Sequence, residues 1–227
     1  MIDAFARYCR ESKVPVTIVF ILLFLSSVVF AQGEDAHEHH KKMLQQRSEA
    51  NAGIAEIKLP NVTLVTQDGL QARLADDVVG DRLVIIDFVY TTCATVCPVL
   101  SATFAQVQDR LGDRLGAEVV MISLSVDPLR DTPARLKKYA TGLGARDGWV
   151  WLTGSKQTVT GVLQEFGAYT PNFADHPSVV LVGDGVNGKW ARFLGFPSAD
   201  QIIGKVDEFS AGRMTRQAHA AMQERKQ

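Results

Sequence analysis

The 227-residue chain is poor in cysteine, with only three, and it has no block of five like charges. Three cysteines exclude a disulfide-rich scaffold, because such scaffolds are short and cysteine-dense. Any cysteine that matters must act singly or in one pair. An excess of either charge is also missing: 24 Lys+Arg stand against 25 Asp+Glu. That balance argues against a nucleic-acid binder held by a broad basic surface. No internal repeat is visible. What is there suits one well-buried core, with 46% hydrophobic residues in a chain of 24.8 kDa.

One long apolar run stands near the N-terminus. Residues 14–31 read VPVTIVFILLFLSSVVFA, with Arg7, Arg10 and Lys13 before them and Glu34 and Asp35 after. Basic before apolar sets an N-in orientation. The densest part, 16–25, has the length of a signal-peptide core, and Val29 and Ala31 fit a cleavage site. Residues 1–31 therefore read either as a signal peptide or as an uncleaved membrane anchor, and both export the rest to a bacterial periplasm. Cys9 precedes the run, so its position is not that of a lipid-attached cysteine. Residues 32–55 are polar and read as a linker. His37, His39 and His40 there, beside Glu34, Asp35 and Glu38, are a weak metal-collecting cluster or a solvated stretch.

From about Lys58 the pattern is that of a folded domain, taken as 56–212, with 213–227 as a charged tail. Asp68-Gly69 between apolar residues predicts a β-hairpin. Residues 83–90, LVIIDFVY, and 118–126, EVVMISLSV, predict central strands buried on both faces. Leu100, Phe104, Val107 and Leu111 recur at helical spacing. Asp131-Thr132-Pro133 predicts a helix start. Strands at 149–154, 178–184 and 189–196 alternate with a helix over Val159–Phe166, and a helix carrying Ile202, Val206 and Phe209 ends the domain. Trp149, Trp151 and Trp190 read as packing residues, and Met121 sits inside a strand. The order β-α-β-α-β-α-β-β-α is the thioredoxin-like arrangement, an α/β fold here with an N-terminal β-hairpin extension. In such sheets, chemistry collects at the carboxyl ends of the strands.

At the end of the first buried strand stands Tyr90-Thr91-Thr92-Cys93-Ala94-Thr95-Val96-Cys97-Pro98. Cys93 and Cys97 are four residues apart, about one helical turn, so their sulfurs can approach. A helix N-terminus favours thiolate. A disulfide across so short a loop gains little chain entropy and is a poor staple. The pair suits a reversible disulfide or two soft metal ligands. His176, in Asp175-His176-Pro177-Ser178, enters the strand at 178–184 from the loop that faces the cysteine turn in a thioredoxin-like fold. It is either a third ligand or a surface histidine. Two thiolates and an imidazole suit copper or zinc, the thiolates selecting Cu(I).

YTTCATVCP, SVDPLRDTPARLKKYA and DHPSVVLVGD, in this order and spacing, resemble the Sco/SenC family of copper-binding thioredoxin-like proteins, over about Ala55 to Gly212. The family assists assembly of the binuclear copper centre of cytochrome c oxidase. The resemblance implies that Cys93, Cys97 and His176 ligate copper, as Cu(I) or Cu(II). It places Asp127 beside the site, where its carboxylate tunes the cysteines or assists transfer; otherwise Asp127 forms a turn before Pro128. It implies as partners the copper-site subunit of the oxidase, other periplasmic copper chaperones and thiol reductants. Two residues depart from the family pattern. Ala94 and Thr95 replace the usual proline and acidic residue, removing a negative charge beside the sulfurs. Pro177 stands where thioredoxin-like redox proteins carry a cis-proline, and a cis bond there would restrict how His176 reaches a metal.

The sequence thus supports an exported metallochaperone first. The alternative is a thiol–disulfide oxidoreductase in which Cys93 attacks and Cys97 resolves. A sensor or a peroxidase using Thr92 and Cys93 has less behind it, since no activating arginine can be assigned.

Overall fold

The computed structural model describes residues 53–94 and 96–225. The apolar run, Cys9 and the His37–His40 cluster lie outside the described residues. Eight strands are present among those described: β1 Gly53–Glu56, β2 Thr63–Thr66, β3 Gln71–Arg73, β4 Leu83–Val89, β5 Val119–Ser125, β6 Trp149–Thr153, β7 Val179–Asp184 and β8 Lys189–Leu194. Four α-helices join them: α1 Cys97–Leu111, α2 Pro133–Gly142, α3 Lys156–Glu165 and α4 Ala199–Glu224. A six-residue π-helical turn, Leu74–Val79, links the hairpin to β4. The strands form one mixed sheet in the order β1-β8-β7-β4-β5-β6-β2-β3. β4, β5 and β6 run parallel, while β7 pairs antiparallel with β4. This is a mixed α/β sheet of thioredoxin-like topology. The expected hairpin is β2–β3, which joins the sheet beyond β6, and Gly69 takes the positive φ of 79° that its turn needs.

Why the central strands read as unbroken apolar runs is clear from what covers them. Every residue of β4 and β5 is buried. Val84, Ile86 and Phe88 face one core, with Val159, Val162 and Leu163 of α3. Leu83, Ile85 and Val89 face the other, with Leu100 and Phe104 of α1, Leu136 of α2 and Ile202 of α4. The period of two places Asp87 on that second face. The three tryptophans are core residues, each at most 2% exposed. Trp190 lies flat over Gly183, where a Cβ would come within 2.3 Å of the ring, so only glycine fits there.

Two sequence expectations are corrected in detail. Residues 53–55, read as the end of the linker, belong to β1, which pairs with β8. The helix start at 131–133 is capped as expected by the side chain before Pro133, that of Thr132, whose hydroxyl accepts from Arg135 N–H. Asp131 turns inward, because Ser125 and Thr91 offer it three hydrogen-bond donors. Residues 213–224 continue α4 rather than forming a separate segment. Arg213 and Arg216 in that stretch donate to the buried Asp184 carboxylate, at 2.6 and 3.1 Å.

Candidate metal and dithiol centre

β4 ends at Val89 and α1 begins at Cys97, so the intervening turn sits at the carboxyl end of the central strand. Pro98 falls in the first turn of α1, where a missing N–H costs nothing. No side chain caps this helix in the usual way. The Cys93 sulfur takes the role: the Cys97 N–H donates to it at 3.3 Å. The Tyr90 hydroxyl also hydrogen-bonds Cys93, which, with burial, pushes the phenol up to about 12. Cys93 is 7% exposed and Cys97 1%, and they are not joined in a disulfide. The two thiols are therefore unequal. Cys93 faces a helix N-terminus and a hydroxyl. Burial pushes the Cys97 thiol up to about 12, against the pull of a Tyr90 backbone hydrogen bond, and the nearby Cys93 and Asp87 add to the rise.

Asp87 completes the underside. It is fully buried, and Ser123 donates to its Oδ1 at 2.6 Å while accepting from Trp149 Nε1 at 2.9 Å. Its Oδ2 has no protein partner. Burial pushes this carboxyl up to about 7, with the Ser123 bond opposing.

His176 arrives from the loop before β7, as expected. Its Nδ1 lies 2.9 Å from Phe173 O and its Nε2 3.2 Å from Phe88 O. Both partners are acceptors, and a neutral imidazole has one N–H, so it satisfies only one of the two contacts. Tyr90 stands between histidine and cysteine, its ring edge-on to His176 at 5.7 Å and to Phe173 at 5.2 Å. All peptide bonds among the described residues are trans, the one before Pro177 included. Asp127 is 4% exposed and accepts from Arg130 at 3.0 Å. Its backbone carbonyl accepts from Arg130 and Asp131, so it also makes the turn. Asp127 and His176 share the lining of a cleft of about 190 Å³.

Among the described residues, no three His, Cys, Asp or Glu side chains converge closely enough to hold a metal ion. The donor types nevertheless suit a soft ion: two sulfurs four residues apart, and an imidazole whose two nitrogens both face carbonyl oxygens. Sequence reasoning did not single out Tyr90 or Asp87. A signal for Asp87 was there, since a lone carboxylate within LVIIDFVY must be buried.

A thioredoxin-like sheet with a thiol pair at the end of its central strand defines a dithiol domain able to exchange electrons or hold a soft metal. The SCO1/SenC family profile matches residues 55–208, and the chain belongs to that family. It is 36% identical over 97 residues to the SCO1 protein homolog of Bacillus subtilis, covering 42% of this chain and 49% of that protein. The chain thus spans about half the length of that relative. Among solved structures, BsSco, a member of the Sco family of cytochrome c oxidase assembly proteins in which a disulfide switch was identified, matches with a TM-score of 0.60. Identity there is 27%, over 71% of this chain and 98% of that one. Arabidopsis thaliana ScoI with copper bound shares the fold, at 21% identity and a TM-score of 0.57, over 68% of this chain and 99% of that one.

Proposed function

We propose that this protein binds copper and delivers or prepares it for the binuclear copper site of cytochrome c oxidase. It works in the bacterial periplasm, tethered by its N-terminal segment or released from it. The observation that carries the reading is the unequal thiol pair, linked through Tyr90 to His176. The copper ligands are Cys93, Cys97 and His176. Cys93 is the more exposed sulfur and meets the ion first. Cys97 enters as its proton is displaced, as thiolate ligation requires. His176 exchanges one carbonyl contact for the metal by rotating its side chain. Asp127, on the same cleft, holds Arg130 and tunes the charge around the imidazole. Release to the partner subunit follows by ligand exchange.

A second reading, thiol–disulfide exchange, is favoured by the same inequality. Cys93 attacks a partner disulfide, and Cys97 resolves the mixed disulfide. That route needs no histidine. The two readings are compatible, because Cu(I) needs reduced thiols.

Copper titration of reduced and oxidised protein, wild type beside His176→Ala, separates them. The copper reading expects one copper per chain, requiring both reduced thiols and His176. The exchange reading expects electron transfer indifferent to His176→Ala. Stoichiometric copper retained by the Cys93→Ser/Cys97→Ser double variant refutes the ligand assignment.

A further inference from the structure

Between the cysteine turn and helix α2 lies an open cleft of about 570 Å³ that neither reading uses. Thr91 and Thr92 form one wall; Arg135, Lys138, Tyr139 and Leu143 form the other. Cys93 follows Thr92 directly, so the cleft lies one residue along the chain from the cysteine turn. The walls are held from behind. Asp131 accepts from the Thr91 hydroxyl at 2.6 Å and from its N–H at 3.1 Å. The half-buried Tyr139 ring packs 5.5 Å from that of fully buried Trp151.

The charge at the lip is of one sign. Helix α2 reads PARLKKYATG, with three cations and no carboxylate. Lys137 faces away and pairs with Asp68 at 2.9 Å. Arg135 and Lys138, three residues apart and exposed, stand over the cleft, and no acidic residue lines it. An apolar floor under two exposed cations is complementary to an apolar side chain flanked by carboxylates.

We propose that this cleft docks an acidic, extended segment of the protein that exchanges with Cys93. The apolar residue of that segment rests on Tyr139 and Leu143, and its carboxylates meet Arg135 and Lys138. The proposal rests on Cys93 being the first sulfur to engage a partner.

The test uses the reduced full chain and three short peptides as symmetric disulfides: an acidic one with Glu-Leu-Glu beside its cysteine, a neutral Ser counterpart and a basic Lys counterpart. The Cys93 thiolate attacks one peptide sulfur, the peptide S–S bond breaks, and the first peptide leaves as thiolate and takes a proton. The Cys97 thiolate then attacks the Cys93 sulfur and releases the second peptide thiol, moving two electrons from the protein dithiol to the peptide disulfide. Rates are normalised to reduction of each peptide by dithiothreitol. The acidic peptide is expected to react at least about tenfold faster than the neutral one at low salt, the advantage shrinking toward about 0.5 M salt. The Arg135→Glu/Lys138→Glu variant is expected to prefer the basic peptide. Lys137→Glu/Lys189→Glu makes the same change in net charge away from the cleft and is expected to keep the wild-type preference. Equal normalised rates overturn the docking site while leaving the dithiol chemistry standing. So does an unchanged preference in Arg135→Glu/Lys138→Glu, or the same inversion in both variants. Failure to reduce any peptide, together with failure to take up copper, overturns the underlying reading as well.

Discussion

Replacing Asp87 with asparagine removes a carboxyl that the fold holds at about pH 7 by burial. An ordinary aspartate titrates near 3.9. Below that value the carboxyl is neutral in both the folded and the unfolded chain, and burial has no charge to penalise. Between about pH 4 and 7 the unfolded chain gives up its proton and the folded chain keeps it, so stability falls as pH rises. Above pH 7 both are charged and the loss is complete. A shift of about three pH units is worth about 4 kcal/mol at 1.36 kcal/mol per unit. Asparagine has no such term. It carries a pH-independent cost of about 1–3 kcal/mol for a buried amide lacking a partner at the Oδ2 position. The expected result is therefore a slope. The stability of Asp87→Asn relative to wild type rises by about 4 kcal/mol between pH 4 and pH 8. Urea denaturation at half-unit pH steps reads it, since every other titrating group cancels in the difference. A pH-independent difference would refute the burial argument. So would a difference that runs the other way.

Tyr90→Phe removes the hydroxyl that hydrogen-bonds Cys93, and alkylation of Cys93 at neutral pH is expected to slow by about tenfold, roughly one hydrogen bond; an unchanged rate argues against that contact. Gly183→Ala drives a methyl group into the Trp190 ring and is expected to cost about 3 kcal/mol in thermal or urea unfolding, whereas a shift under about 0.5 kcal/mol contradicts the close approach. Asp184 is buried, which raises it, yet Arg213 and Asn187 outweigh burial and hold it at about 2. Its contribution is present above about pH 4 and lost as pH falls toward 2, so Asp184→Asn should unfold more easily at pH 6 and show a shallower acid transition, read by circular dichroism.

The alternation of strands and helices from β4 onward, both helix-flanked central strands and the place of the cysteine pair were legible because each is a local pattern. A run such as 83–90 is apolar throughout only if both faces are covered, and that constraint is written in consecutive residues. The cysteine spacing is equally local. The place of His176 beside β4 was legible at one remove, through the thioredoxin-like order, which brings the loop before β7 near the end of that strand. What the sequence did not disclose depends on neighbours far along the chain. Asp131 reads only as part of a helix start until Thr91, forty residues earlier, donates to it. The tail looks peripheral until Asp184 on β7 is seen to take two of its arginines.

Tyr90 is the clearest instance, because its position follows from two elements at once. The strand sets where its hydroxyl reaches Cys93, and the loop before β7 sets where its ring meets His176. Neither fact has a local signature, since an aromatic at the end of a strand is common for packing reasons alone. The same double dependence applies to His176. The histidine is held by carbonyls of Phe88 and Phe173, one on the strand and one on the loop, with the tyrosine ring against it. Under the proposed copper reading, binding through His176 means giving up a carbonyl contact, and a neutral imidazole, with one N–H, donates to only one of the two.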